Sequence, residues 1–379
     1  MANDKKRKIR AEFRKNRMPR ARQGDLTREY RDTGLEDDES VQTERVSGKG
    51  ELTRKRTVIG AEIADDDMGG LTVHLEIDED ACRNGCVLSV HGLTSSVLGE
   101  NGQIYGCATR RVLKTLSTDQ RHVVAAGDRV CFRPAGRDEG VIERIEPRHG
   151  VLNRAIRGRR QVIVANVDQV LIVSSAAQPV PKPHLIDRLL VSAEKDRVRP
   201  ILCINKIDLV DFADLQPLAG VYGQMGYEVH LLSATTGFGI ERLRRVVVGR
   251  QSVFAGQSGV GKSSLLNAIE PSLDLRIAAV SQENEKGRHT TTVASLIPLS
   301  AGGYVVDTPG IRQFQLWDVV PQEVAGFFRD LRPYVSLCRF PDCTHTHEAD
   351  CAVKDAVADG RLDARRYESY CQLYEGDLD

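Results

Sequence analysis

Eight residues, Gly256-Gln257-Ser258-Gly259-Val260-Gly261-Lys262-Ser263, fit the pattern G-x-x-x-x-G-K-[ST] in full. The surroundings fit as well: Ser252–Ala255 reads as a short buried strand, and Ser264-Leu265-Leu266-Asn267-Ala268 opens a helix. In such a loop the glycines let the backbone curl until its amides face phosphate oxygens, and the helix N-terminus adds a favourable dipole. Lys262 is placed to neutralise β- and γ-phosphates, and the Ser263 hydroxyl to ligate Mg²⁺.

The flanking pattern is α/β. Val167–Val173, Pro200–Ile204, Glu228–Leu232, Ser252–Ala255 and Tyr304–Val306 read as buried strands. Leu185–Lys195, Leu215–Met225, Ile240–Val248 and Lys262–Ile269 read as helices between them. Strands alternating with helices imply a mostly parallel sheet covered on both faces.

Asn205-Lys206-Ile207-Asp208 follows the strand Pro200–Ile204. A carboxylate there accepts from guanine N1–H and from its exocyclic amino group, a donor pair that adenine does not offer. A buried acceptor left unpaired is expensive, so the site should reject adenine. Ser233-Ala234-Thr235 ends the next strand and suits a loop that supports the base through backbone amides. Asp307-Thr308-Pro309-Gly310 matches D-x-x-G, with Asp307 supporting Mg²⁺ and the Gly310 amide meeting the γ-phosphate. Within Gly287-Arg288-His289-Thr290-Thr291-Thr292, one threonine should complete the Mg²⁺ shell. Thr291 is the first choice, with Thr290 and Thr292 as alternatives. Ile311 follows Gly310, where a water-orienting glutamine would stand in Ras-like enzymes. Slow intrinsic hydrolysis is therefore expected, with a partner or another residue completing the site; His289 is a candidate for orienting the water.

The order of these motifs is permuted. The base-reading tetrapeptide and the Ser-Ala loop precede the phosphate loop, whereas ordinary GTPases carry them after D-x-x-G. Domain termini often lie close together, so a sheet cut elsewhere can still assemble. The cut sends the chain from the D-x-x-G element straight into the C-terminal region, with 28 positions from Gly310 to Cys338. Nucleotide state should then bias that region mechanically. There, Cys338-x₄-Cys343-x-His345-x₅-Cys351 gathers three thiols and an imidazole, a ligand set suited to tetrahedral Zn²⁺ in a closed structural site. His347 is a rival ligand. Cys82 and Cys86 lack further ligands nearby, and Cys107, Cys131, Cys203 and Cys371 read as small hydrophobes.

Upstream, residues 84–150 carry short β-rich pieces, Cys86–Val90, Gln103–Cys107, Arg129–Pro134 and Val141–Ile145, punctuated by glycines. They suggest a small barrel; an OB-like one fits, although composition alone does not separate it from an SH3-like one. Residues 1–83 lack a sustained hydrophobic period and read as a largely disordered extension, with one strand expected at Leu71–Ile77. The chain is neutral overall, yet Lys5–Arg22 holds ten Lys/Arg against one acid, a composition suited to contacting RNA. Arg110, Arg111 and Lys114 add positive charge to the barrel. No apolar run reaches the ~18 residues needed to span a bilayer, and no secretory signal precedes the basic arm, so a cytoplasmic, membrane-free protein is expected.

With these residues assembled, the chain resembles the ribosome small-subunit-dependent GTPase A family, bacterial circularly permuted GTPases. The resemblance rests on Phe254–Asn267, Gly287–Thr292, Asp307–Gly310 and the Cys/His cluster, and spans roughly residues 84–379. It implies an OB-fold barrel (84–150), a circularly permuted α/β P-loop GTPase (151–315) and a helical zinc-binding domain (316–379). GTP contacts would fall on Asn205–Asp208 and Gly256–Ser264, and zinc ligands on Cys338, Cys343, His345 and Cys351. The expected activity is GTP hydrolysis in late assembly of the 30S subunit, stimulated by the subunit, by a monomer that contacts 16S rRNA. An RNA-binding scaffold that holds GTP without turnover is the alternative. The long extension before the barrel departs from the family pattern, which assigns no role to residues 23–80.

Overall fold

The computed structural model describes residues 8–13, 54–59, 61–65, 71–75, 78–110, 113, 123–156, 159–274, 294–307 and 321–376. Near the N-terminus, β1 (Lys8–Phe13) pairs antiparallel with β2 (Arg54–Ile59), and β3 (Ala61–Asp65) with β4 (Leu71–Leu75). β4 covers most of the strand expected at Leu71–Ile77, and β1, β2 and β3 are further strands within the extension. Thr57, Val58, Ile59, Ile63 and Val73 supply the β-branched residues that strands favour.

Next comes a closed barrel of β5 (Arg83–His91), β6 (Thr94–Gly99), β7 (Ile104–Thr109), β8 (Arg129–Pro134) and β9 (Glu139–Ile145). Its strands run β5-β6-β7-β9-β8 and close back onto β5, with only β7 and β9 parallel. This first-second-third-fifth-fourth order is the Greek key of an OB fold, and it decides between the two barrel types. Val87, Val97, Tyr105, Val130, Phe132 and Ile142 fill the barrel. β10 (Leu152–Ile156) and β11 (Arg159–Val164) form a hairpin that follows it.

The α/β layer comprises β12 (Gln169–Ser175), α1 (Pro183–Lys195), β13 (Arg199–Asn205), α2 (Phe212–Gln224), β14 (Glu228–Leu231), α3 (Ile240–Val247), β15 (Gln251–Ala255), α4 (Lys262–Ile269), β16 (Ser295–Pro298) and β17 (Tyr304–Asp307). The sheet order is β14-β13-β12-β15-β17-β16, parallel except for β16. Alternate residues of each strand serve opposite faces. Val170, Ile172, Leu202 and Ile204 pack with Leu189 and Leu190 of α1 and Tyr222 of α2. Leu171, Val173, Ile201 and Cys203 pack with Leu243 of α3 and Leu265 of α4. Both faces are thus covered, which is why these strands read as continuous apolar runs.

Barrel and α/β layer share one sheet. Ser295, first residue of β16, pairs with Ser89 of β5, beside a register shift between Val87 and Ser89. Val87 belongs to the barrel core, while its neighbour Leu88 packs in the α/β core with Leu296 and Val306. At the same junction Arg148 clasps the fully buried Asp128 through two bonds of 2.7 Å.

The C-terminal region contains α5 (Pro321–Phe327), α6 (Arg332–Val335), α7 (Ala352–Ala358) and α8 (Ala364–Glu375). Val324, Phe328, Leu331, Val353 and Tyr370 form its core, and Val191 of α1 enters it. Arg366, 2% exposed, fastens α8 to the α/β layer: it donates to Asp187 of α1 at 2.5 Å and to both carboxylate oxygens of Asp330 at 2.9 and 3.0 Å. Tyr222 of α2 donates to the same Asp187 oxygen at 2.7 Å. No helix among the described residues is long and apolar enough to cross a membrane.

Candidate functional site

The parallel strands β12, β13, β14 and β15 all end at one edge of the sheet, and each delivers a loop there. The phosphate-loop residues follow β15, and Asn205 ends β13. The chain steps outward from β12 through β13 to β14 and then crosses back to β15 on the other side of β12, so the direction of winding reverses at β12. Ligands of open α/β sheets bind outside the carboxyl ends of the strands at such a reversal.

Two glycines show why the loop after β15 has its sequence. Gly256 has φ +140°, and a Cβ on it would lie 2.1 Å from the Val173 carbonyl oxygen of β12. Gly261 has φ +95°, and a Cβ there would lie 2.4 Å from Asn205 Nδ2. Any side chain would strike these neighbours and strain the backbone. Gly261 is the N-cap of α4, so Lys262, Ser263 and Ser264 form its first turn, all half-buried. Gln257 is half-buried, Ser258 and Gly259 are exposed, and Val260 is buried. Lys262 Nζ donates to the carbonyls of Gly256 and Gln257, both at 2.8 Å, which holds the ammonium over the loop.

The tetrapeptide after β13 meets this loop directly. Asn205, 1% exposed, donates from Nδ2 to the Val260 carbonyl at 2.9 Å and accepts the Ala234 amide on Oδ1 at 3.2 Å. Lys206, in the left-handed region at φ 64°, donates from Nζ to Gly259 O at 2.7 Å and Gln178 O at 2.5 Å. Ile207 is buried and opens a 3₁₀ turn, Ile207–Leu209, that leaves Asp208 exposed. The Ser233 hydroxyl donates to Asp208 Oδ1 at 2.5 Å. Segments about 50 residues apart in the chain, and the Ser233–Ala234 loop, therefore converge on one edge. The partnership of Lys206 with Gln178 carries no sequence signal, because the acceptor is a backbone carbonyl.

Asp307 ends β17, whose neighbour in the sheet is β15, so its backbone reaches the same edge. His289, Thr290, Thr291, Thr292 and Gly310 lie outside the described residues, as do Arg111 and Lys114.

The Cys/His cluster is a second site. The donor atoms of Cys338, Cys343, His345 and Cys351 all lie within 4.8 Å of one another. Cys338 Sγ stands 3.4 Å from His345 Nδ1 and 3.8 Å from Cys351 Sγ, and Cys351 Sγ is 3.5 Å from His345 Nδ1. A tetrahedron with Zn–S arms of ~2.3 Å has edges of ~3.8 Å, so the donors are spaced for such an ion. Burial pushes the Cys343 thiol up to about 12 and raises that of Cys351, while lowering the His345 imidazole. Burial thus favours neutral donors, and a dication held among them would supply the charge that thiolates require. Of the two histidines, His345 joins the cluster, held by Tyr367 Oη donating to its carbonyl at 2.7 Å. The His347 ring is 80% exposed and turned toward Thr346 instead.

A family model described as RsgA GTPase matches residues 145–317. A protein of Gemmatimonas aurantiaca named "Small ribosomal subunit biogenesis GTPase RsgA" is 44% identical over 294 residues, covering 76% of this chain and 95% of that one. A protein of the same name from Thermotoga petrophila is 40% identical, covering 77% and 96%. Among solved structures, YjeQ from Thermotoga maritima matches with a TM-score of 0.66 and 37% identity, over 78% of this chain and 98% of that one. YloQ, described as a circularly permuted GTPase, matches with a TM-score of 0.62 and 32% identity, over 79% and 96%.

Proposed function

Because the chain belongs to the RsgA GTPase family, we propose that its GTP site spans the loops after β13, β14 and β15. Asp208 reads the guanine edge, with Asn205, Lys206, Ile207, Ser233 and Ala234 shaping the base pocket. Gly256, Gln257, Ser258, Gly259, Val260, Gly261, Lys262, Ser263 and Ser264 wrap the phosphates, Lys262 with its charge and the others with amides and hydroxyls. Asn205 carries this reading: one buried side chain bonds both the phosphate loop and the Ser233–Ala234 loop, so a base and its phosphates fit one cradle.

Ser263, Thr291 and Asp307 would hold Mg²⁺, which supplies charge neutralisation at the phosphates. Gly310 offers its amide to the γ-phosphate, and His289 orients the attacking water. Cys338, Cys343, His345 and Cys351 would hold one Zn²⁺ as a closed structural site with no position left for chemistry.

The protein acts as a cytoplasmic monomer in late maturation of the 30S subunit, in contact with 16S rRNA. The relatives' names support the subunit. The exposed arginines Arg83, Arg110, Arg129, Arg133 and Arg137 on the barrel support a nucleic-acid contact. GTP hydrolysis measured with and without 30S subunits tests the reading. The subunit should accelerate wild-type turnover, by analogy with completed trans sites by ~10³-fold or more, and Lys262→Ala should abolish it. Turnover that the subunit leaves unchanged would instead favour a GTP-holding scaffold.

A further inference from the structure

The two loops assigned to the guanine are joined by a contact that neither motif contains. Phe212 opens α2, four positions after Asp208, and Phe238 ends the turn that begins at Ser233. Their rings meet edge to face, with centroids 5.6 Å apart and planes at 70°. Phe212 is 49% exposed and Phe238 51%, and Leu209, three positions before Phe212 in the chain, is 53% exposed. Single exposed apolar side chains are ordinary on a protein surface. An aromatic pair bridging two functional loops is a different matter, since it restrains how those loops sit against each other.

Each ring stands at the end of a stiff turn whose other end holds a base-pocket group. The Ser233 amide donates to the Phe238 carbonyl at 3.0 Å, and the Gly237 amide to the Ser233 carbonyl at 2.9 Å. The Thr236 amide donates to Ser233 Oγ at 3.1 Å. On the other side, the Leu209 amide donates to the Lys206 carbonyl at 3.1 Å. Asp211 then caps α2 by accepting the Ala213 amide at 3.0 Å. Displacing either ring therefore displaces Ser233 or Asp208, and between those two runs the 2.5 Å bond from Ser233 Oγ to Asp208 Oδ1.

We propose that the Phe212–Phe238 pair is a staple that sets the spacing of Ser233 and Asp208, making both phenylalanines positioning residues for guanine discrimination. The inference rests on the reading of residues 205–208 and 233–234 as the base pocket. Neither ring needs to touch the nucleotide. The staple acts on the share of affinity that comes from the base edge and leaves the share from the phosphate loop alone.

That division gives the test. Guanine offers Asp208 two donors, N1–H and the exocyclic amino group, whereas hypoxanthine keeps N1–H and lacks the amino group. A misplaced Asp208 therefore costs GDP more than IDP, and the ratio of their dissociation constants narrows. A general loss of stability would weaken both alike. Affinities of the full-length protein for GDP, IDP and ADP are to be measured by titration calorimetry for wild type, F212A, F238A, the double variant and F238Y. An edge-to-face pair of this size should narrow the IDP/GDP ratio by about two- to tenfold in each alanine variant. The double variant should narrow it no further, and F238Y, which keeps the ring, should retain the wild-type ratio. If F238A does not fold, F238L carries the same expectation. Equal weakening of GDP and IDP, or none, would overturn the staple and leave the base pocket standing. Wild-type protein that holds GDP no better than ADP would overturn the base pocket, and the staple with it.

Discussion

Replacing Asn205 with alanine probes how the site is held together. The side chain is 1% exposed, and its two bonds reach opposite loops, to Val260 O at 2.9 Å and from the Ala234 amide at 3.2 Å. Without the amide, the carbonyl of the buried Val260 loses this donor, at about 1–3 kcal/mol. The Ala234 amide is half-exposed and its bond longer, so its loss costs roughly 0.5–1 kcal/mol. The total is about 1.5–4 kcal/mol. Felt wholly in nucleotide binding, that weakens affinity roughly 13- to 900-fold; felt in the free protein, it lowers the urea midpoint. Both are measurable on the same preparation, by titrating a fluorescent GDP analogue and by denaturation without nucleotide. Asn205→Asp sharpens the test. It keeps an acceptor for Ala234 but turns an oxygen toward the Val260 carbonyl, so it should be at least as damaging as alanine. An Asn205→Ala protein with GDP affinity within threefold of wild type and an unchanged midpoint would refute the claim that this side chain ties the loops.

Two further substitutions test the scaffold around the site. Arg366→Ala leaves Asp187, fully buried, and Asp330 without their cation, which should cost about 3–5 kcal/mol and release the C-terminal helices to limited proteolysis before the barrel; simultaneous release of all regions would contradict this. Glu270 is held down to about 2 by bonds from the Ser272 hydroxyl and from the Ser300 hydroxyl and amide. Its folded value lies below its unfolded one, so its contribution is full above the ordinary carboxylate range and fades as pH falls from about 4.5 toward 2. The urea midpoints of wild type and Glu270→Gln should therefore differ most near neutral pH and converge on acidification; a gap that widens in acid would contradict the assignment.

Much of the site was legible because its motifs are local. A strand, a glycine loop and a helix in immediate succession leave little freedom, and Lys262–Ile269 forms the helix that the sequence indicates. Buried strands read as apolar runs because both sheet faces are covered, and Arg129–Pro134 is a strand at the expected residues. Edge and hairpin strands were harder. β6, Thr94-Ser-Ser-Val-Leu-Gly99, is half polar, and β16, Ser295–Pro298, is four residues ending in proline, so neither carries a strong apolar signal. Barrel type was hidden in composition because it depends on which strands pair: the parallel contact of β7 with β9 settles it. Long-range partnerships such as Lys206 with Gln178 O, Arg366 with Asp187, or Phe212 with Phe238 join residues that no spacing rule connects.

The decisive measurement is base preference after Asp208→Asn. On the proposed reading the carboxylate accepts from two guanine donors; an asparagine would keep one acceptor and present an amide donor to the position of the guanine amino group. Xanthine carries an oxygen at that position. Wild type should bind GDP far more tightly than XDP, and Asp208→Asn should reverse the order while the protein stays folded. A variant that keeps the wild-type preference would mean that Asp208 does not face the base, and that the loops after β13 and β15 do not grip one guanine nucleotide.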